Sequence, residues 1–192
     1  MRQSDAARHA RAAALLDRIR NIPSPRVVEV GVFVGQFSEL LLQKRSDLHL
    51  TMVDSWAPAD QLPDAYRLTG DAHAHQSEAE AEENRQKAET RVKRFGNRAT
   101  VVCLPSIKAA ACNIVARDLI FLDADHSYEA VKADLAAWVP HVKAGGWIGG
   151  HDYGHTDPRF SFGVKQAVDE WAAGNGLKIE LGADFTWFCR LL

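Results

Sequence analysis

Residues 118–153, DLIFLDADHSYEAVKADLAAWVPHVKAGGWIGGHDY, contain two short apolar runs that each end in acids and histidines. The runs span residues 119–122 and 147–150, and a segment of helical length separates them. Short apolar runs bounded by polar turns are typical of strands in a parallel sheet whose two faces are both buried. The stretch therefore predicts a strand, a crossover helix and a second, parallel strand.

Five polar side chains follow these two predicted strands. Neighbouring strands lie about 4.8 Å apart, so side chains beyond their carboxyl ends can converge on one ion, and close carboxylates favour a cation or a proton between them. Aspartate oxygens suit Mg, Ca or Mn, whereas an imidazole favours Mn, Fe or Zn. The pattern favours a divalent-metal site, and pairing with nearby Lys or Arg stays open as the alternative. The five residues are Asp123, Asp125, His126, His151 and Asp152.

A second motif lies near the amino terminus. The short β-rich run 26–31, RVVEVG, leads into a loop and a helical pattern, and Glu29, Gly31 and Gly35 form an ExGxxxG turn. Glycine permits the sharp turn, and the amino end of the helix offers N–H groups to an anion. Asp54 ends the next predicted strand about 20 residues after Gly31, the interval at which a carboxylate meets a ribose hydroxyl in nucleotide-binding folds. This motif predicts a nucleotide site.

The rest of the chain completes one α/β domain, 1–192. We predict an amino-terminal helix over 4–20 and a lid-like insertion over about 56–95. Two closing strands, 177–181 and 185–191, are separated by three residues, too few for a crossover helix, so they form an antiparallel hairpin. The predicted fold is a Rossmann-like, doubly wound sheet of seven strands, mostly parallel with an antiparallel carboxyl-terminal hairpin. Its other elements are strands at 48–53 and 99–104 and helices at 78–95, 106–115 and 161–173.

Composition narrows the class of protein. The 192 residues are 46% hydrophobic and 25% charged, which excludes wholesale disorder. A net charge of -2 argues against a nucleic-acid partner, and no apolar stretch approaches the length of a membrane span. The amino terminus lacks a signal-peptide core, and the three cysteines form no CxxC motif and lie in apolar sequence. We therefore expect buried, reduced thiols and a cytoplasmic location.

With these motifs in view, the chain resembles class I S-adenosylmethionine-dependent methyltransferases. It is most similar to the branch of small-molecule and sugar O-methyltransferases and cephalosporin-hydroxylase-like proteins. Two departures from that pattern are Phe33, where the commonest turn has a glycine, and His151, where metal-dependent relatives often have an acid. The matching segments are VVEVGVFVGQFS (27–38), MVDSW (52–56), FLDADHSYEAVKADLAAWVPHVKAGGWIGGHDY (121–153) and TWFCRL (186–191).

The resemblance implies roles for individual residues. The cofactor S-adenosylmethionine would be held by Glu29, Gly31, Gly35, Ser38, Asp54 and Ser106. A divalent metal (Mg, Mn, Fe or Zn) would be held by Asp125, His151 and Asp152. Asp123 would lie beside the methyl donor or in the metal shell.

The resulting hypothesis is methyl transfer to an oxygen of a small polar molecule. Asp123, His126 and His151 are the candidate catalytic residues, with His126 or His151 as general base if no metal is bound. A homo-oligomer is compatible with the sequence. The alternatives are an NAD(P)-dependent oxidoreductase, favoured by the glycine turn and disfavoured by the closing hairpin, and a non-catalytic nucleotide-binding module.

Overall fold

Within residues 5–112 and 115–192, the part of the chain that the computed structural model describes, seven strands form one sheet. The predicted helix start at Ser4 and part of the helix predicted over 106–115 lie outside these residues. The strands are β1 Arg26–Val30, β2 His49–Asp54, β3 Ala99–Cys103, β4 Arg117–Leu122, β5 Val142–Gly150, β6 Ile179–Leu181 and β7 Trp187–Arg190. The helices are α1 Asp5–Arg18, α2 Gln36–Lys44, α3 Asp64–Arg67, α4 Glu78–Val92, α5 Ser106–Ala110, α6 Tyr128–Trp138 and α7 Val164–Gly174.

The strand order is β3-β2-β1-β4-β5-β7-β6. Strands β1 to β5 are parallel, whereas β7 is antiparallel to both β5 and β6. The prediction of a mostly parallel seven-stranded sheet with an antiparallel closing hairpin is confirmed. Because β1 to β5 run in one direction, their carboxyl ends share one edge of the sheet, and the polar residues that follow them meet there.

Alternate residues of the central strands pack into two separate cores. Leu119 and Phe121 of β4 face α1, α2 and α4, while Ile120 and Leu122 face α5, α6 and α7. Each of these four side chains is at most 7% exposed. Burial on both faces explains why β4 reads as an unbroken apolar run.

The segment predicted as an insertion divides into two parts. Residues 55–77 are largely irregular, but α4 is a covering helix of the sheet, started by a capping box at Ser77. Ala88 of α4 is fully buried, and a Cβ on Gly35 would lie 2.9 Å from its Cα. Residues 78–92 of the segment predicted as an insertion thus form a covering helix, whose buried alanines give only a weak apolar pattern.

The cysteine prediction is wrong at two positions. Cys103 and Cys112 are exposed, and Cys189 alone among the three is buried, with burial raising the pKa of its thiol to about 11. In the described residues, every helix is too short or too polar to span a bilayer.

Candidate active site

The carboxyl ends of β4 and β5 bring the two polar runs together. Leu122 pairs with Gly150 in the sheet, and the His151 N–H donates to the Leu122 carbonyl at 3.1 Å. The next residue of the β4 run, Asp123, is held to β1 through a 2.7 Å bond from its N–H to the Val30 carbonyl. The predicted convergence at this edge therefore follows from the register of three adjacent strands.

Asp123, His126 and Asp152 form a tight group of side chains at this edge. One ligand atom from each lies within 4.8 Å of the others. Asp152 has a positive φ of 58°, which turns its carboxylate back toward the histidines. Burial raises the Asp152 pKa, but hydrogen bonds with His126 and His151 outweigh burial and hold that pKa well below its ordinary value.

His126 lies between two carboxylates. Its Nδ1 is 3.0 Å from Asp71 Oδ2 and its Nε2 is 3.1 Å from Asp152 Oδ2. Burial lowers the pKa of His126, but bonds to Asp123, Asp152 and Asp71 raise it well above 6.5 in sum. In this arrangement His126 is a cation that donates from both ring nitrogens.

His151 occupies the other side of the group. Its Nδ1 is 2.9 Å from Asp152 Oδ2, and its Nε2 is 3.5 Å from Asp184 Oδ2 in the hairpin turn. Burial lowers its pKa, but Asp123, Asp152 and Asp184 together raise it to about 10. His151 therefore carries positive charge between β5 and the hairpin.

Arg11 of α1 is the third cation of the cluster. The guanidinium is 4% exposed and donates from Nη1 to Asp123 Oδ2 at 2.8 Å, and it lies 4.8 Å from the centre of the Phe37 ring. Burial raises the pKa of Asp123, but His151 and Arg11 keep it well below its ordinary value. The Asp123 carboxylate is consequently ionised before an acceptor binds.

Two of the predicted site residues have other partners. Asp125 accepts the Ser127 N–H at 2.8 Å at the start of α6, and it is not part of the tight group above. Ser106 donates to Asp134 and accepts from the Trp138 indole at 2.8 Å, so it ties α5 to α6. Of the metal ligands expected from the sequence, Asp152 belongs to the tight group, His151 lies 2.9 Å from Asp152, and Asp125 lies outside the group. Asp123 and His126 are its other members.

The Asp134 contact predicts a pH effect on stability. Burial raises the Asp134 pKa from 3.8 to about 6, so the folded state binds more protons than the unfolded state between these values and stability falls as pH rises. For Asp134→Asn we expect the free energy of unfolding relative to wild type to grow by about 2 kcal/mol from pH 4.5 to 7.5. Urea unfolding at both pH values measures this difference. A difference that stays constant with pH would contradict the assignment.

The glycine turn packs directly against the end of β4. Gly31 has φ of 90°, and a Cβ there would lie 1.9 Å from the backbone oxygen of Asp123. Behind the turn, Glu29 is 2% exposed and accepts the Ser38 hydroxyl at 2.5 Å, and burial raises the Glu29 pKa to about 8. Glu29 is thus a largely neutral group near pH 7.

Asp54 holds the turn in shape. Its Oδ2 accepts the N–H groups of Val32 and Phe33 at 2.8 and 2.9 Å, and its Oδ1 accepts that of Trp56 at 2.8 Å. A carboxylate has about four lone-pair sites, so about one remains for a ligand hydroxyl.

Phe33 replaces the glycine of the commonest turn yet keeps a left-handed backbone, with φ of 54°. Three contacts support this conformation: the bond to Asp54, a 2.7 Å bond from the Trp56 indole to the Phe33 carbonyl, and stacking of the Phe33 ring on His73 at 4.0 Å. The stack joins the glycine turn to the irregular segment 55–77.

Sequence reasoning missed Arg11, Asp71 and Asp184. Arg11 lies four residues before Leu15, on the buried face of α1. Because an arginine is rarely buried without a partner, this position is a signal of a buried acid close to it. Asp71 and Asp184 lie in loops, and no local pattern distinguishes them from exposed turn acids.

Residues 28–153 match the protein family described as "Methyltransferase domain". The match runs from β1 to just beyond β5 and includes both the glycine turn and the tight group. A curated relative, "Uncharacterized protein R132" of Acanthamoeba polyphaga mimivirus, is 27% identical over 146 residues. These are 76% of this chain and 58% of that protein, so the chain spans less than two thirds of the relative's length.

Solved structures of methyltransferases share the fold. The O-methyltransferase NovP is 20% identical with a TM-score of 0.61, covering 97% of this chain and 78% of its own. The calicheamicin methyltransferase CalS11 is 15% identical with a TM-score of 0.71, covering 98% and 80%. The O-methyltransferase from Bacillus cereus in complex with SAH is 15% identical with a TM-score of 0.62, covering 100% and 83%.

Proposed function

The chain belongs to the methyltransferase domain family, and we propose that it is an S-adenosylmethionine-dependent enzyme whose acceptor atom is an oxygen of a small polar molecule. The observation that carries this proposal is the position of Asp123 and of the cations around it. Asp123 touches the glycine turn through its backbone oxygen, while its carboxylate joins Arg11 and the histidines. A hydroxyl beside the Asp123 carboxylate would therefore lie between the glycine turn on one side and Arg11 and the two histidines on the other.

The residues of the turn fit the cofactor. S-adenosylmethionine, when bound, supplies a methyl group activated on sulfur. The remaining lone pair of Asp54 can accept a ribose hydroxyl, and the neutral Glu29 carboxyl supports the turn from below through Ser38. Gly31 and Gly35 act through backbone shape, because each lies too close to neighbouring atoms to carry a side chain.

The tight group can also hold a divalent metal once the Nε2 proton of His126 has left, because a metal binds the neutral imidazole. Two carboxylates and one imidazole, Asp123, Asp152 and His126, offer a mixed O and N donor set that favours Mn, Fe or Zn over Ca. A metal bound there would act as a Lewis acid and would orient the acceptor.

The protein's own charges lower the cost of removing the acceptor proton. Both imidazoles hold protons in the arrangement described above, so Asp123 is our candidate to take the proton in place of His126 or His151. A weak base suffices, because the O–H becomes strongly acidic as the new carbon–oxygen bond forms. Arg11, His126 and His151 hold the Asp123 carboxylate in place to receive that proton.

Segment 55–77 is our candidate for the lid that excludes water and selects the acceptor. It touches the catalytic group through Asp71 and the glycine turn through His73. The segment also contacts the loop before α7, where the Ser161 N–H donates to the Thr69 carbonyl at 2.9 Å.

Paired acceptors test the oxygen assignment. The purified protein is incubated with methyl-labelled S-adenosylmethionine and a panel of phenols, catechols and nucleotide-linked sugars, each beside its amine counterpart. Sugars are included because CalS11 is described as a TDP-rhamnose 3'-O-methyltransferase. We expect label on hydroxyl compounds alone, and label on the amines would contradict the proposal.

Calorimetric titration with S-adenosylmethionine and NAD tests the alternatives, and heat from NAD alone would favour the oxidoreductase.

A further inference from the structure

A groove of about 370 Å³ opens on the face of the sheet that α5 covers, toward the amino ends of the strands. Thr51 and Val53 of β2 and Thr100 and Val102 of β3 line it, and Ala109 of α5 closes one side. Parallel sheets are normally covered on both faces, but α5 has five residues and leaves this part open. The candidate active site lies at the carboxyl-terminal edge of the sheet, which the groove approaches only at Val53 and Val102.

The groove is positively charged. Three arginines and one histidine line it, and among the described lining residues there is no acid. This concentration of positive charge stands out in a chain whose net charge is -2. The four residues are Arg26, His49, Arg98 and Arg117.

Two of these arginines differ in their hydrogen bonds from the third. Arg98 donates from Nη1 to the carbonyls of Leu42 and Arg45 at 3.2 and 3.1 Å. The side chains of Arg26 and Arg117, by contrast, make no hydrogen bond or ion pair with any residue in 5–112 or 115–192, and the Nε of Arg117 is buried without an acceptor. Burial, followed by the charge of Arg26, lowers the pKa of Arg117. An acid does lie beside them: Asp118 accepts the Arg26 backbone N–H at 2.8 Å and its charge raises the Arg117 pKa, but its other oxygen accepts from Lys143 at 2.6 Å. A buried donor without an acceptor is costly, so the Nε of Arg117 favours an anion in the groove.

We propose that this groove binds the phosphate of a small phosphorylated molecule, with Arg26 and Arg117 on the phosphate and the organic part against Val53 and Val102. A phosphate monoester carries nearly two negative charges near pH 7, which matches two guanidinium groups that donate in a fork. The hydroxyls of Thr51 and Thr100 add donors. The volume falls at the small end of ligand pockets, the size of a mononucleotide.

Calorimetric titration with adenosine 5′-monophosphate tests this site. The protein is first saturated with S-adenosylhomocysteine, so that the cofactor site is filled and cannot take the adenine. We expect binding of the monophosphate under these conditions, and at least tenfold weaker binding of adenosine, which lacks the phosphate. Equal binding of the two, or no binding of the monophosphate, would overturn the proposal.

Charge-matched variants locate the bound phosphate. Arg117→Gln and Arg26→Gln are each expected to weaken monophosphate binding at least tenfold, and Arg26 is exposed, so its replacement leaves the core intact. Arg20→Gln, which removes the same charge from an exposed arginine paired with Asp17, should leave binding unchanged. Equal weakening in all three variants would overturn the proposal.

Sedimentation of the wild type and of Arg117→Gln provides a further check. If the wild type is a dimer and Arg117→Gln is a monomer, the groove is a contact between copies of the chain, which would also overturn the proposal.

Discussion

Replacing Asp152 with asparagine is expected to weaken the binding of Mn²⁺ by more than about 100-fold, beyond the usual cost of losing an outer-shell partner of a metal site. Asp152 Oδ2 contacts His126 Nε2 at 3.1 Å and His151 Nδ1 at 2.9 Å, so the substitution removes the anion shared by both imidazoles. Asparagine tolerates the positive φ of this position, which leaves the backbone unstrained. Methyl transfer should fall with metal affinity, and calorimetry with Mn²⁺ beside an activity assay measures both.

Asp157→Asn is the matched control for this substitution. Asp157 lies five residues further along the chain and pairs with Arg159, outside the tight group. It should keep Mn²⁺ affinity and methyl transfer at wild-type levels. An Asp152→Asn variant that binds Mn²⁺ as wild type does would refute the proposed metal ligands.

Replacing Gly31 with alanine is expected to destabilise the protein by more than about 3 kcal/mol. The new Cβ would lie 1.9 Å from the Asp123 backbone oxygen, at a φ of 90° that alanine rarely adopts. The turn or the end of β4 must move to relieve this overlap, which also displaces the Asp123 carboxylate. Chemical denaturation gives the loss of stability, and titration with S-adenosylmethionine gives the accompanying loss of cofactor affinity.

Gly174→Ala provides the control. Gly174 ends α7, and a Cβ there meets no atom within 4 Å. Alanine favours a helix over glycine by up to about 1 kcal/mol, so this variant should be as stable as wild type or slightly more stable. If Gly31→Ala were as stable as wild type, the expected overlap between the new Cβ and the Asp123 oxygen would be wrong.

The elements of the fold could be predicted because each has a local cause. The apolar runs at 119–122 and 147–150 are buried on both faces, and this burial requires the hydrophobic pattern that made them visible as strands. The three-residue gap after Leu181 similarly excluded a crossover helix, and the antiparallel β7 followed. The role of α4 was less visible, because Ala81 and Ala88 bury little apolar surface and the helix therefore looks like a surface element.

The candidate site could be predicted only in outline. Sequence spacing placed Asp123, Asp125 and His126 together after β4, but it could not tell which of them face β5. The structure directs Asp125 to the start of α6 and His126 to Asp152, because the chain turns between these residues to begin the helix. Residues that are close together in a turn point in different directions, and packing decides those directions.

The sequence by itself determined the strands, their common edge, the glycine turn and the family. Each of these depends on residues that are close in the chain and on patterns that burial imposes. The tertiary structure alone decided that Asp71 and Asp184 pair with the histidines and Arg11 with Asp123. It also decided that Arg26 and Arg117 share an open groove. These residues come from distant segments, and the packing of α1, the 55–77 segment, the hairpin and the short α5 sets their positions.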